Sequence, residues 1–205
     1  MHTAVKHLLG IVLLVFLPLV AGAQARQDLG VSWGGYLPVG SGFVQNASWT
    51  QVSLQWNYRI IPQLGAGLSV GYVQHNESGR TLDHFDGAIV TGDSKRKLIQ
   101  IPIQMLVSYY PIGARHSLFQ PYVGVGIGGQ WARFDLSGAV VQTSGKENWG
   151  LVVTPKIGIR IYPLKKKSFW LNADVAYRYA ANEWKLLEIS SQQGVLPSLG
   201  VGVSF

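Results

Sequence analysis

Along most of this chain, apolar residues alternate one for one with small or polar residues. In Trp49–Ile60, Val52, Leu54, Trp56 and Tyr58 share one face, opposed by Gln51, Ser53, Gln55 and Asn57. A two-residue period puts successive side chains on opposite faces of an extended strand, so the pattern selects strand over helix. It recurs in Leu64–Gln74, Lys97–Tyr110, Phe119–Trp131, Trp149–Tyr162, Phe169–Ala180 and Leu196–Phe205. A first strand at Leu29–Leu37 brings the expectation to about eight, an even number, each long enough to cross a bilayer at a tilt.

The connections alternate in length. Ile61-Pro62-Gln63, Pro111–Ser117 and Pro163–Ser168 are short, whereas Pro38–Ser48, His75–Arg96, Ala132–Asn148 and Ala181–Gly194 are longer and polar. In an up-and-down antiparallel sheet, alternate connections emerge at the same end. Short turns at one rim and long loops at the other are the arrangement of outer-membrane barrels.

Alternation alone does not say which face points outward, because a soluble barrel with an apolar interior has the same period. Composition decides. Charged residues are 13% of the 205, against roughly 25–35% on a water-facing exterior. On the polar face of the strands nearly the only charges are Lys156, Arg160, Asp174 and Arg178. Gly124, Gly126 and Gly128 suit a crowded interior and weaken an exposed strand. Aromatics gather at strand ends: Tyr58, Tyr109, Phe119, Phe169 and Phe205 at the short-turn rim, and Tyr72, Trp131, Trp149 and Tyr179 at the loop rim. That matches paired interfacial girdles, so the aliphatic face is expected to meet lipid.

The first residues read as an address. Lys6, the apolar run Leu8–Val20 and the small residues Ala21-Gly22-Ala23 have the layout of a secretory signal peptide. We expect it to span residues 1–23, with a cut after Ala25 as the alternative, and the barrel to occupy 24–205. No Cys is present, which excludes a disulfide scaffold, a zinc ribbon and a thiol nucleophile.

Three stretches carry a family resemblance: Ile101-Pro102-Ile103, Phe119-Gln120-Pro121-Tyr122-Val123-Gly124-Val125-Gly126, and the terminal strand ending at Phe205. On these the mature chain, nearly end to end, resembles the small outer-membrane β-barrel (porin-family) proteins, which include OmpX-type proteins and the transmembrane part of OmpA-type proteins. The resemblance implies an all-β, single antiparallel up-and-down transmembrane barrel in a Gram-negative outer membrane. These motifs specify family rather than activity; the leading expectation is a non-enzymatic structural or surface-interaction protein with no cofactor, among outer-membrane lipids and lipopolysaccharide, the alternatives being a lipid-A-modifying enzyme and a narrow small-solute channel. The resemblance also implies that Leu199, Val201, Val203 and Phe205 are read by the barrel-insertion machinery. Because the chain stops at the final strand, the peptidoglycan-binding domain of OmpA-type proteins is expected to be absent.

Residues able to do chemistry are few. If the turn centres near Lys165–Lys166, Asp174 lies diagonally between Lys156 and Arg160 on the neighbouring strand, with Arg178 one repeat further along. Charges in a narrow lumen should pair or stay hydrated, so this group reads as a structural plug or, alternatively, as a narrow solute path. Wide aqueous pores need about sixteen strands. His75, Glu77 and Ser78 offer the residue types of a lipid-A-modifying enzyme, but their spacing does not reproduce a His-x-Ser motif. Asp83, His84, Asp86 and Asp93 could ligate a divalent cation, yet the spacing is not that of an EF-hand, so they read as loop solvation and no metal site is assigned. His116-Ser117 falls at the short-turn rim. Lys165-Lys166-Lys167 either meets anionic headgroups or caps a hairpin. Phe43, Phe85 and Trp184 are candidate loop contacts for a partner or lipopolysaccharide, the alternative being packing over the barrel mouth. A pI near 9.7 does not imply nucleic acid, because the basic residues are scattered over both rims and the lumen.

Overall fold

A computed structural model describes residues 27–39, 44, 46–85, 88–112, 118–137, 142–163, 168–182 and 191–205, with side chains at 79–85, 88–94, 136, 137 and 142–145 outside the description. The strands are β1 (Gln27–Pro38), β2 (Ser48–Ile61), β3 (Leu64–Phe85), β4 (Ala88–Tyr109), β5 (Phe119–Ser137), β6 (Gln142–Ile161), β7 (Phe169–Ala180) and β8 (Gln192–Ser204). Each pairs antiparallel with its sequence neighbour, and β8 pairs with β1 to close the barrel. The seam ends in reciprocal backbone hydrogen bonds between Gln27 and Phe205, at 3.0 and 2.9 Å.

The register fixes the shape. Paired residues run from Leu29 through Trp56, Leu68, Met105, Ile127, Val153, Tyr179 and Gln193. The circuit returns to β1 at Val39, ten residues beyond its start, through a bond from Val39 N to Gln193 O. A stagger of that size over eight strands spaced roughly 4.8 Å apart tilts them by about 40°. The result is a narrow barrel whose interior is a single layer of side chains.

Two connections differ from the sequence expectation. His75–Arg96 is not a loop: β3 and β4 stay paired to Phe85↔Ala88, leaving only Asp86 and Gly87 between them. Asp-Gly is a favoured two-residue hairpin sequence, and continuing the ladder satisfies the backbone groups a loop would have to solvate. Likewise Ala132–Asn148 is mostly strand, with β5 and β6 paired to Ser137↔Gln142. Strands β3 to β6 therefore have 22, 22, 19 and 20 residues, against 12 to 14 for the other four.

The polarity of the two faces changes along these long strands, while the in–out alternation is kept. In the lower part the outward face is apolar: Leu68, Val70 and Tyr72 on β3, Ile103, Met105 and Val107 on β4, with Met105 71% exposed. The inward face there is Gly65, Gly67, Ser69 and Gly71 on β3 and Gln104 and Ser108 on β4. Above Tyr72 the pattern inverts. Gln74 and Asn76 now point outward, and Val73 and His75 are buried inside. On β5 the same inversion puts Arg133 outward and buries Ala132 and Phe134. An outward face needs apolar groups only where it touches hydrocarbon, a band about 25 Å tall. Beyond that band water lies outside, and the wall packs its interior as a soluble sheet does.

Several residues singled out from the sequence lie outside the described set: the segment 1–23 and its cut, Phe43, Asp86, His116-Ser117, Lys165-Lys166-Lys167 and Trp184. Phe85 ends β3, and Asp83, His84 and Asp93 lie in strands, but their side chains fall outside it as well.

Candidate functional site

The inward-facing polar residues form two charged centres at different heights, and nearer the loop end Gln100 bonds Gln192 and Asn182 bonds Gln130 and Asn148. The lower one, at the short-turn rim, is built on Asp28. Its Oδ2 lies 2.6 Å from Arg160 Nη1 and 3.2 Å from Arg59 Nε, and Ser204 Oγ donates to Oδ1 at 2.7 Å. Both guanidinium groups are enclosed by aromatics: Arg59 sits 4.4 Å over the Tyr110 ring, and Arg160 4.4 Å over Trp170. Arg59 also donates to the Tyr162 hydroxyl at 2.8 Å. The adjacent strands β8, β1 and β2 and, from across the lumen, β6 thus meet at one carboxylate, where planar cations stack on ring faces and keep their fork for the acid.

The middle centre is built on Asp174. Register places it opposite Gly158, diagonal to both Lys156 and Arg160. The expected pairing is not what forms. Asp174 accepts hydrogen bonds from the Tyr122 hydroxyl, the Asn172 amide and the Ser198 hydroxyl. Lys156 donates to Gln55 Oε1 at 3.1 Å instead, and Arg160 turns to Asp28. The two long cations reach across the axis, to β2 and β1, while the short Asp174 side chain takes donors from its own strand and from β8 and β5. Beside this centre lies a polar cavity of about 40 Å³ lined by Gln51, Ser53, Lys156, Asp174, Arg178 and Ser198 among others.

Above it apolar side chains join the buried amides of Gln100, Gln130, Asn182 and Gln192. Tyr36, Val73, Ala176 and Leu196 form a buried cluster, and Leu98, Ala132, Phe134, Val152 and Ala180 are buried on adjacent strands. His75 packs edge-on against Tyr36, ring centroids 5.0 Å apart. Because Gln74 and Asn76 flank it on the outside, His75 stands above the hydrocarbon band. Burial there lowers its pKa to about 4. Ser78 is exposed on the opposite face of β3, and His75 makes no hydrogen bond to it. The Ser–His geometry an acyl hydrolase requires is therefore not assembled between these two residues. Among the described residues no group of three His, Asp or Glu side chains could hold a metal ion.

Sequence reasoning missed Asp28 and Arg59. The signal was present: Asp28 is in phase with Gly30 and Ser32, and Arg59 continues the face of Gln51, Ser53, Gln55 and Asn57. The terminal row Leu199, Val201, Val203 and Phe205 lies outward on the lipid face, 41–64% exposed.

With the closed barrel, the apolar belt and the polar interior in place, the chain can be compared with known proteins. The family model "Outer membrane protein beta-barrel domain" matches residues 9–205. The chain belongs to this family. It is an outer-membrane β-barrel protein, and the greasy band of its wall is the part set in the bilayer. No curated protein matches it. Its barrel is similar to solved barrels at low identity. Neisserial surface protein A has a TM-score of 0.58 at 16% identity, over 90% of this chain and 99% of that one. OprG from Pseudomonas aeruginosa gives 0.54 at 19%, over 90% and 98%. Ail, the attachment invasion locus protein of Yersinia pestis, gives 0.51 at 12%, over 89% and 99%. At these identities the likeness is one of fold.

Proposed function

We propose that this outer-membrane barrel is a non-enzymatic surface-interaction protein whose lumen is plugged by its own side chains. The observation that carries the reading is the height difference of the wall. β3 to β6 are 19–22 residues long, where about 9–11 suffice to cross a membrane. Half of that four-stranded sheet therefore stands clear of the bilayer on the side opposite the short turns. Beyond Gln74 no β3 residue pairs with β2, whose last rung to β3 is Val52↔Tyr72. On β6 the last rung to β7 is Val152↔Ala180. Among the described residues no strand flanks the raised sheet on either side, Asn46 alone reaching Glu77 at the β3 edge, and such a raised sheet is a contact surface.

The names of two barrels of similar fold, a surface protein and an attachment invasion locus protein, agree with this reading. Interior packing supports a closed lumen, since the middle cavity is about 40 Å³ and the apolar cluster sits above it. The outward row Leu199, Val201, Val203 and Phe205 is the part offered to the insertion machinery, and outer-membrane lipids, lipopolysaccharide included, surround the belt.

The test shortens β3 and β4, joining Gln74 to Ile99 through a two-residue Asn-Gly turn, in cells that otherwise lack the protein. Cells with the shortened barrel should lose attachment to coated surfaces and to one another while the barrel still shows folded, heat-shifted mobility. Unchanged attachment would overturn the surface reading. Planar-bilayer conductance above background would overturn the plug and favour a narrow channel. Altered lipid-A mass profiles on expression would favour an enzyme.

A further inference from the structure

The membrane-embedded lumen is unbalanced in charge. Below His75 the described inward-facing residues include Arg59, Lys156, Arg160 and Arg178, against Asp28 and Asp174. Arg59 and Arg160 share Asp28. Lys156 bonds a neutral amide. Asp174 has both oxygens engaged by neutral donors, Oδ1 by Ser198 and Oδ2 by Tyr122 and Asn172. In the middle of the lumen Lys156 and Arg178 thus face a single carboxylate, Asp174, which neither of them hydrogen-bonds, and one positive charge is in excess.

Arg178 is the sharper case. It is 5% exposed, its guanidinium lies 5.9 Å from the Tyr36 ring centroid, and its buried Nε and Nη1 have no hydrogen-bond partner among the described residues. A buried cation in this state carries a large desolvation cost unless something negative or strongly polar meets it. Arg178, Lys156 and the Asp174 carboxylate all line the cavity of about 40 Å³, the carboxylate with both oxygens already taken by Ser198, Tyr122 and Asn172. One water needs about 10–15 Å³ measured this way, so the space suits one small ion with a water or two, and nothing larger.

We propose that this cavity is a binding site for one small monovalent anion of halide size, held by the Arg178 guanidinium with Lys156 supplying the second positive charge. Chloride has the right size and weak hydration. Carboxylate metabolites and gluconate are too large to enter. The occupant balances the excess charge and bridges the neighbouring strands β6 and β7 on the inner face of the wall.

The test uses the full folded barrel in uncharged detergent, unfolded by heat in sodium chloride, sodium bromide or sodium gluconate at equal ionic strength. The midpoint should stand several degrees higher in the halides, with a saturable dependence on halide concentration, and Arg178→Gln should remove the difference. Equal midpoints in the three salts, or a variant that keeps the difference, would overturn the site. If Arg178→Gln does not fold, crystals of the wild type grown in bromide decide. An anomalous peak beside Arg178 supports the proposal, and a cavity without one rejects it.

Discussion

Arg160 and Asp28, 132 residues apart in sequence, meet at 2.6 Å inside the barrel, and Arg59 closes on the same carboxylate oxygen from β2. The contact joins β6 to β1 across the lumen, so this ion triad forms only once the seam between β1 and β8 is shut.

Removing the shared acid should therefore be costly. Asp28→Asn leaves two guanidinium groups buried without their counter-charge, for which about 3–5 kcal/mol is the usual penalty. Asp174→Asn keeps a hydrogen-bonding group among neutral partners and should cost less. Urea titrations of the two variants, followed by the shift in mobility between folded and unfolded forms, give the order. An Asp174→Asn loss as large as that of Asp28→Asn would contradict it.

The raised sheet should depend on its own small core. Phe134→Ala or Leu98→Ala opens a cavity beneath the long hairpins, a change that costs about 2–5 kcal/mol in buried sites. The loss should appear locally, as faster proteolytic cutting of the β3–β4 hairpin, with the membrane-embedded part still protected. Lys97→Ala, on the wet outer face, should leave the cutting rate unchanged.

Two adjacent glycines should behave differently. A Cβ at Gly128, which faces inward, would stand 2.0 Å from the backbone oxygen of Ile103 on β4, so Gly128→Ala has to push two paired strands apart. At Gly129 the nearest atoms are side-chain carbons of Trp149 at 3.4 Å, an ordinary contact. Refolding yields into detergent should fall sharply for Gly128→Ala and stay near wild type for Gly129→Ala, within about 0.5 kcal/mol in stability.

Acid should weaken the mouth of the barrel through His75. Its pKa of about 4 in the folded state lies below the 6.5 of the free side chain. The unfolded chain therefore binds a proton first as pH falls. The stabilisation is complete above pH 6.5, declines between 6.5 and about 4, and levels off below. Midpoints for wild type and His75→Gln across that range should differ by a pH-dependent amount confined to this window. Parallel profiles would show that His75 does not titrate as its burial requires.

How much of this was legible in the sequence follows from the length scale of each signal. Period-two alternation is local, so it gave the strand faces and the outward belt. The scarcity of charge on the polar face settled which side met lipid. The Asp28 site was only half visible. Lys156, Arg160, Asp174 and Arg178 share a phase on neighbouring strands, but the partner of Arg160 is on β1, and no local spacing encodes a contact across a closed barrel. The inversion above Tyr72 was written in the sequence as well. Gln74 and Asn76 take the outward phase and Val73 the inward one, yet the run reads as a polar loop until the ladder shows that pairing continues to Phe85. Alternation and composition therefore determined the barrel and its orientation. Closure alone decided the ion triad, the unmatched Arg178 and the height of the β3–β6 sheet, because each depends on which strands the eight-strand stagger brings face to face.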